Sequence, residues 1–432
     1  MTAASADGRG SPARRVLGFW SLLALGINGV VGVGIFFAPS ELARTLPGSA
    51  SALAFALTAL LLAPVAWAYG RLGSAYPEDG GPYVWAREAL GPRSAFAVGF
   101  IAYVSAVLST SAVVSGLGEY LGPQLGFDTP LLRTCFEALC ALTFAGVALL
   151  GLRPSAWVWS TLTVLKLLPL LLLALWAGRA LGASERALPA FDVSAGGLAR
   201  AALIAVFPLQ GFEIVPVPAG EAKGGPRTVL GATLSALALS ALLYVLLQLG
   251  CLLALPRLGA SSFPIVDAGA VATNGHGTGW FESGASVSAI GIAFGMFAMT
   301  PRYLAALGTA ELLGEGLARE RRGVPVVALL VTTVCVTVLV SSSSLGGLFV
   351  LSSLAVLLQY AVSALALFRL AGRRRGGLGR LDRALAPLCL LSIVALAHAA
   401  KWAEIAVLFG ILLLGFAALR ARSALASATR AR

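Results

Sequence analysis

Charge is what this chain has least of. Only 12% of its 432 residues are Asp, Glu, Lys or Arg, against roughly 25% in a soluble domain. With 58% hydrophobic residues, that scarcity excludes the water-soluble classes and defines a polytopic, all-α membrane protein. Histidine is almost absent: His276 and His398 fall in or near outer loops, with no partner cluster for a metal centre or a triad. The five cysteines (Cys135, Cys140, Cys251, Cys335 and Cys389) lie in or beside apolar stretches without metal-ligand spacing, so inert buried thiols are expected. The sequence has no intramembrane His-Glu pair, Gly-x-Ser-x-Gly or Asp dyad, which leaves an intramembrane enzyme without its chemistry. A nutrient receptor would lack a large soluble signalling domain. No cofactor is implied.

What is present is a succession of apolar stretches, each near the ~20 residues that cross a hydrocarbon core about 30 Å thick. Twelve are expected: 17–37, 48–70, 94–121, 131–151, 155–179, 199–219, 229–255, 284–312, 325–340, 346–370, 384–400 and 403–420. The net charge of +12 is no nucleic-acid footprint, because its placement tracks the membrane. With the N-terminus inside, the inner loops and termini collect 23 of the 31 Lys and Arg residues; seven lie outside and Lys166 falls within a span. The bias puts both termini in the cytoplasm. Clusters such as Arg9, Arg14 and Arg15, Arg319, Arg321 and Arg322, and Arg373 to Arg375 would also meet anionic lipid. No cleavable signal peptide is expected ahead of the first span. Residues 1–15 read as a disordered N-terminus, 16–370 as the core, 371–422 as two further helices and 423–432 as a cytoplasmic tail.

Two spans are interrupted. The first carries Gly26-Ile-Asn-Gly-Val-Val-Gly-Val-Gly-Ile-Phe36, with four glycines in nine residues. Glycine removes side-chain support and adds backbone freedom, and unwound backbone at membrane depth is tolerated only around a protein-lined cavity. The freed N–H groups of Gly32, Val33 and Gly34 would then face an anion at the start of a second half-helix. Close packing through small residues is the alternative reading of this stretch alone. The sixth span repeats the anomaly in Phe207-Pro-Leu-Gln-Gly-Phe-Glu-Ile-Val-Pro-Val-Pro-Ala-Gly220, where Pro208, Pro216 and Pro218 obstruct continuous helix. Interruptions five spans apart predict a five-plus-five inverted repeat with a binding site at its centre. At 1.5 Å per residue, Gly29 and Gly211 each lie roughly 18 Å from the start of their spans, near mid-membrane.

Three stretches carry a family resemblance. Gly32-Val-Gly-Ile-Phe36 with Ala38-Pro39 resembles the first-helix motif of the amino acid–polyamine–organocation permeases. Tyr76-Pro-Glu-Asp-Gly-Gly-Pro-Tyr-Val-Trp-Ala-Arg-Glu-Ala-Leu-Gly91 resembles their hallmark loop. Gly211-Phe-Glu213, Ala219-Gly-Glu-Ala-Lys223 and Pro226-Arg227 resemble their sixth-helix signature. The likeness spans essentially the whole chain. It implies a ten-helix inverted-repeat core with discontinuous helices 1 and 6, two added C-terminal helices, transport of amino acids or related amines, and a bacterial cytoplasmic membrane. The connection after span eight departs from the pattern: Arg302 is followed by Ala310-Glu-Leu-Leu-Gly-Glu-Gly-Leu-Ala-Arg319 and a late Pro325, with no Asp-Gly.

Lys166 falls about 16 Å into span five, too deep for its stem to reach the headgroups. A charge at the bilayer centre costs on the order of 2.5–3.5 kcal/mol. The amine is therefore either neutral or held against carbonyls released by the first break, and switching between the two would make it a proton carrier. In the resembling permeases a lysine at this place on the fifth helix substitutes for sodium and bonds a first-helix carbonyl. A fixed cross-brace is the alternative. Glu213, beside the second break, either titrates during transport or caps freed N–H groups as an anchor. Glu119 and Glu137 read as helix-packing groups nearer the outer face. The resemblance assigns pocket positions to Ser105, Ala106 and Thr110 on span three and to Phe207 and Gln210 on span six. Phe294 and Phe297 on span eight are candidate aromatic gates. The expected activity is proton-coupled uptake of neutral amino acids by alternating access, the carboxylate on Gly32 to Gly34 and the ammonium on carbonyls near Val30 and Phe207. A sodium-coupled carrier is disfavoured by the Lys166 ammonium; an amine or polyamine carrier and an exchanger are alternatives. The expected partners are the amino acid, protons and the bilayer, with no nucleic acid, as a monomer or a homo-oligomer.

Overall fold

The fold is organised by where helices stop. In the computed structural model, which describes residues 17–76, 81–151, 156–183, 187–309, 315–321 and 323–430, the chain is almost entirely helical. In order the helices are α1 (Phe19–Val30), α2 (Gly34–Thr45), α3 (Ser51–Ala75), α4 (Pro82–Leu90), α5 (Pro92–Gln124), α6 (Pro130–Leu149), α7 (Ala156–Gly182) and α8 (Ala195–Leu209). There follow α9 (Pro226–Ala254), α10 (Pro264–Ala272), α11 (Thr278–Thr309), α12 (Glu315–Ala318), α13 (Val326–Ser342), α14 (Leu345–Gly372), α15 (Arg380–Ala397) and α16 (Trp402–Arg430). Proline at the first helical position opens α4, α5, α6, α9 and α10, where its missing N–H is no loss. Thr129, Ser194 and Ser344 cap α6, α8 and α14 by accepting from the N–H groups of Leu132, Gly197 and Gly347.

Among the described residues seven helices are long and apolar enough to cross a membrane, or nine if each of two bent pairs counts as one span. The expected twelve exceed this count because several expected spans are divided or short. The first is split between α1 and α2, bent by 52°. The sixth gives only α8 and two single helical turns, Phe212–Ile214 and Ala219–Glu221. The ninth, α13, has 17 residues. The last two form a pair bent by 118°. Exposed leucines on α6 and α16, such as Leu131 and Leu414, give the apolar exterior that lipid requires. The expected N-terminal segment 1–15, residues 77–80 of the hallmark loop and Ala310 to Gly314 lie outside the described residues. In the connection after α11, β1 (Glu320–Arg321) pairs antiparallel with β2 (Val324–Pro325), and Arg302 Nη2 donates to the Gly323 carbonyl at 3.1 Å.

The two breaks touch. A Cβ on Gly29 would lie 2.7 Å from the Gly211 carbonyl oxygen, so neither position has room for a side chain. Gly211 also holds φ +120°, a conformation that only glycine adopts freely. Below the breaks the chain ends of these spans are tied: Leu17 N–H donates to the Glu221 carbonyl (3.0 Å) and Lys223 N–H to that of Leu17 (2.7 Å).

At the same end, Asp382 of α15 takes Arg71 of α3 through both oxygens (2.8 and 2.9 Å), together with Trp67 Nε1 (3.1 Å) and Gly379 N–H (2.8 Å). Asp382→Asn would leave the Arg71 guanidinium part-buried without its counter-charge, a loss on the order of 3 kcal/mol. We expect a lower midpoint of thermal unfolding followed by tryptophan fluorescence; an unchanged midpoint contradicts the structural weight given to this clamp.

Candidate functional site

A continuous helix would hide all its interior peptide groups; here two interruptions release them side by side. At the first break Gly32 N–H does not reach the Asn28 carbonyl four residues back. It turns to the Val30 carbonyl at 2.7 Å, and the Asn28 carbonyl accepts from Lys166 Nζ at 3.1 Å. At the second break Gly211 N–H turns away from the Phe207 carbonyl and donates to Glu213 Oε2 at 2.7 Å. The Phe207 carbonyl thereby loses its helical donor. Gly34 begins α2, whose first N–H groups have no acceptor inside the helix. The two ends meet: a Cβ on Gly34 would lie 2.9 Å from Phe207 Cε1 and 3.2 Å from Pro208 Cα. A positive helix N-terminus and a negative helix C-terminus thus sit together.

They border a cavity of about 600 Å³. From the breaks it extends towards α4 and the start of α5, where Gly81 to Tyr83, Val98 and Gly99 line it. Val30, Gly32, Val33, Gly34, Ser105, Ala106, Lys166, Phe207, Gln210 and Glu213 of the sequence reading all line it. Thr110 and Phe297 do not. Thr110 is fully buried and bonds the Ala106 carbonyl (2.7 Å) and Thr300 Oγ1 (3.1 Å). Phe297 is fully buried against Phe144, with centroids 6.0 Å apart, and Phe294 also lies away from the lining. The α11 face that does line the cavity is Ile292, Met296, Met299 and Tyr303, spaced as one stripe of a helix. That spacing was the available signal, whereas Phe294 and Phe297 lie on other faces of the same helix.

Two details differ from the expected cradle. Val30's carbonyl accepts from both Gly32 N–H and Tyr244 Oη (2.8 Å), which fills its two lone pairs. Gly32's N–H is used in the same contact. Among the described residues the groups without a partner are therefore the N–H groups of Val33 and Gly34 on one side and the last carbonyls of α8 on the other.

The ionisable groups in the lining are placed unequally. Lys166 is 5% exposed, and its partner carbonyl lies in the last turn of α1, where a cation is favoured. Glu213 accepts from Gly211 N–H and from Tyr360 Oη at 3.0 Å, the pattern of an anchor across the break. It is the one carboxylate among the described lining residues. Gln210 Nε2 donates to Ser109 Oγ (3.2 Å) and Ser352 Oγ (3.3 Å), so it ties α8 to α5 and α14. Glu137 is buried against Gly118, as a packing group would be.

An almost entirely helical, multi-pass membrane protein with a mostly apolar cavity at two apposed helix breaks is built as a membrane transporter. The chain belongs to the amino acid permease family, whose model matches residues 17–421. An uncharacterized transporter of Mycobacterium tuberculosis is 28% identical over 419 residues, 94% of this chain and 90% of that one. A branched-chain amino acid permease of Bacillus subtilis is 28% identical over 54% of this chain and 53% of its own length. A vacuolar cationic amino acid transporter of Arabidopsis thaliana is 23% identical over 83% of this chain and 63% of its own. The protein is accordingly a transporter rather than an enzyme.

Gly34→Val should abolish ligand binding, because the added methyls fill the space between the α2 N-terminus and Phe207. Gly34→Ala should weaken it. Both proteins should elute as folded species on size exclusion; full-strength binding by the valine variant would remove the α2 N-terminus from the site.

Proposed function

We propose that this protein is a secondary active transporter that takes up neutral amino acids with protons. The observation that carries the reading is the apposition of the α2 N-terminus and the α8 C-terminus at one cavity wall. The N–H groups of Val33 and Gly34 suit a carboxylate, and the terminal carbonyls of α8, beginning at Phe207, suit an ammonium. An α-amino acid carries both charges one carbon apart, and no other common metabolite class matches that pair so closely.

A neutral side chain follows from the rest of the lining. Ile292, Met296, Met299 and Val113 are apolar, and Glu213 is already engaged by Gly211 N–H and Tyr360. A cationic side chain would find no free carboxylate among the described lining residues. Met side chains adapt to different shapes, which suits a family of aliphatic substrates. A competition panel against labelled uptake in proteoliposomes tests this: alanine, serine, leucine and similar residues should compete, and arginine or lysine should not. Strong competition by the cationic pair alone rejects the neutral class.

Proton coupling is assigned to Lys166. The protonated amine holds the end of α1 through Asn28, by a contact worth on the order of 1–3 kcal/mol. Deprotonation weakens that hold and frees α1 to swing between access states. In a twelve-span inverted-repeat arrangement with both termini in the cytoplasm of a bacterial cell, the cavity opens inward, towards α4. Acidic outside and alkaline inside should therefore drive accumulation, with sodium irrelevant. Lys166→Ala should keep some substrate binding yet lose the response to a pH gradient. Accumulation by that variant in step with the gradient would reduce Lys166 to a brace and leave Glu213 as the next proton site.

A further inference from the structure

A second cavity, of about 500 Å³, lies along the same helices. Four of them line both spaces in register. From the first cavity to the second, α2 passes from Gly34 to Glu41, α5 from Val113 to Glu119, α8 from Phe207 to Ile204, and α14 from Val356 to Val350. At 1.5 Å per residue these steps are roughly 5–10 Å along each axis. Between the two levels Phe207 stacks on Phe349, with centroids 4.2 Å apart and planes 16° from parallel. The second cavity is thus the continuation of one path beyond an aromatic plug.

Its chemistry differs from that of the first. Most of its charges are already satisfied. Glu41 pairs with Arg44 at 2.5 Å, and Arg44 Nε donates to the Gly259 carbonyl at 2.6 Å. Arg200 grips Glu404 through both terminal nitrogens, and Lys401 N–H also donates to that carboxylate at 2.8 Å. Two charges are left over: the Glu119 carboxylate on α5 and the Lys401 ammonium in the α15–α16 turn. Neither side chain has an ion-pair partner among the described residues, although both line the cavity. Arg133 and Arg44 both stand near enough to Glu119 to act on it electrostatically, but neither forms an ion pair or hydrogen bond with it among the described residues, and Arg44 is engaged with Glu41 and Gly259.

A spare acid and a spare base on different walls of a cavity of amino-acid size are complementary to a zwitterion. We propose that the outer cavity is a second, capture site, in which Glu119 receives the ammonium and Lys401 the carboxylate of an amino acid before the Phe207–Phe349 stack opens. This rests on the reading of the protein as an amino acid transporter. It differs from the inner site in its means of recognition, which is side-chain charge rather than helix ends, so it selects for the zwitterion and admits side chains broadly.

Equilibrium binding of labelled L-alanine and L-leucine to the purified full-length protein, together with uptake kinetics, separates the possibilities. Two binding components are expected for the natural chain. Gly34→Val should retain the weaker one, and Glu119→Gln or Lys401→Met added to Gly34→Val should remove it. In the otherwise natural chain Glu119→Gln should raise KM by about tenfold, the worth of one charge-assisted hydrogen bond, with a much smaller effect on turnover at saturation. Glu119→Asp should restore KM. One component only, abolished by Gly34→Val, with KM unmoved by Glu119→Gln, overturns the capture site and leaves the inner site standing. No binding of either amino acid to any of these proteins overturns both.

Discussion

The contact between Gly29 and Gly211 is the constraint on which the rest of the structure depends. Two helices can be interrupted in mid-membrane only if the peptide groups they release find partners inside the protein. Here each interruption is pressed against the other, with no room for a Cβ at the contact. That closeness brings the C-terminal ends of α1 and α8 and the N-terminal end of α2 into one small volume. The cavity forms there because the unwound backbone bends away from helix geometry on both sides at once.

The released groups are then divided between structure and site. Val30's carbonyl goes to Tyr244 and Gly32, Asn28's to Lys166, and Gly211's N–H to Glu213. Each pairing removes a group that would otherwise be costly to bury. What is left unpaired among the described residues is small and specific: donors at the head of α2 and acceptors at the tail of α8. In the function proposed above, selectivity for an α-amino acid comes from that remainder. In the proposed coupling Lys166 links this arrangement to a proton, because its partner is a peptide carbonyl at the break itself.

The positions of both breaks were legible in the sequence, since glycine and proline act locally and their effect needs no knowledge of neighbours. Lys166 and Glu213 were legible for a related reason: a charge in an apolar run must be explained by something nearby. The use of Val30's carbonyl was not, because Tyr244 reaches it from α9, 214 residues away in the chain. Thr110 and Phe297 show the same limit. Each sits on a lining helix, but one turns to Thr300 and the other to Phe144, choices fixed only by helix packing. The seven to nine long helical spans among the described residues fall short of the twelve apolar stretches because such stretches persist through breaks that divide or shorten the helices themselves.

The central claim is that opposite helix ends read the two charges of the substrate. Calorimetric binding of three ligands to the purified protein tests it most directly: a neutral amino acid, the amine left by removing its carboxylate, and its N-acetyl derivative. The account predicts measurable binding of the first and losses of at least about a hundredfold for the other two, since each leaves one helix end facing an apolar surface or a vacancy. Equal binding of the amino acid and the decarboxylated amine would contradict it and make the protein an amine carrier.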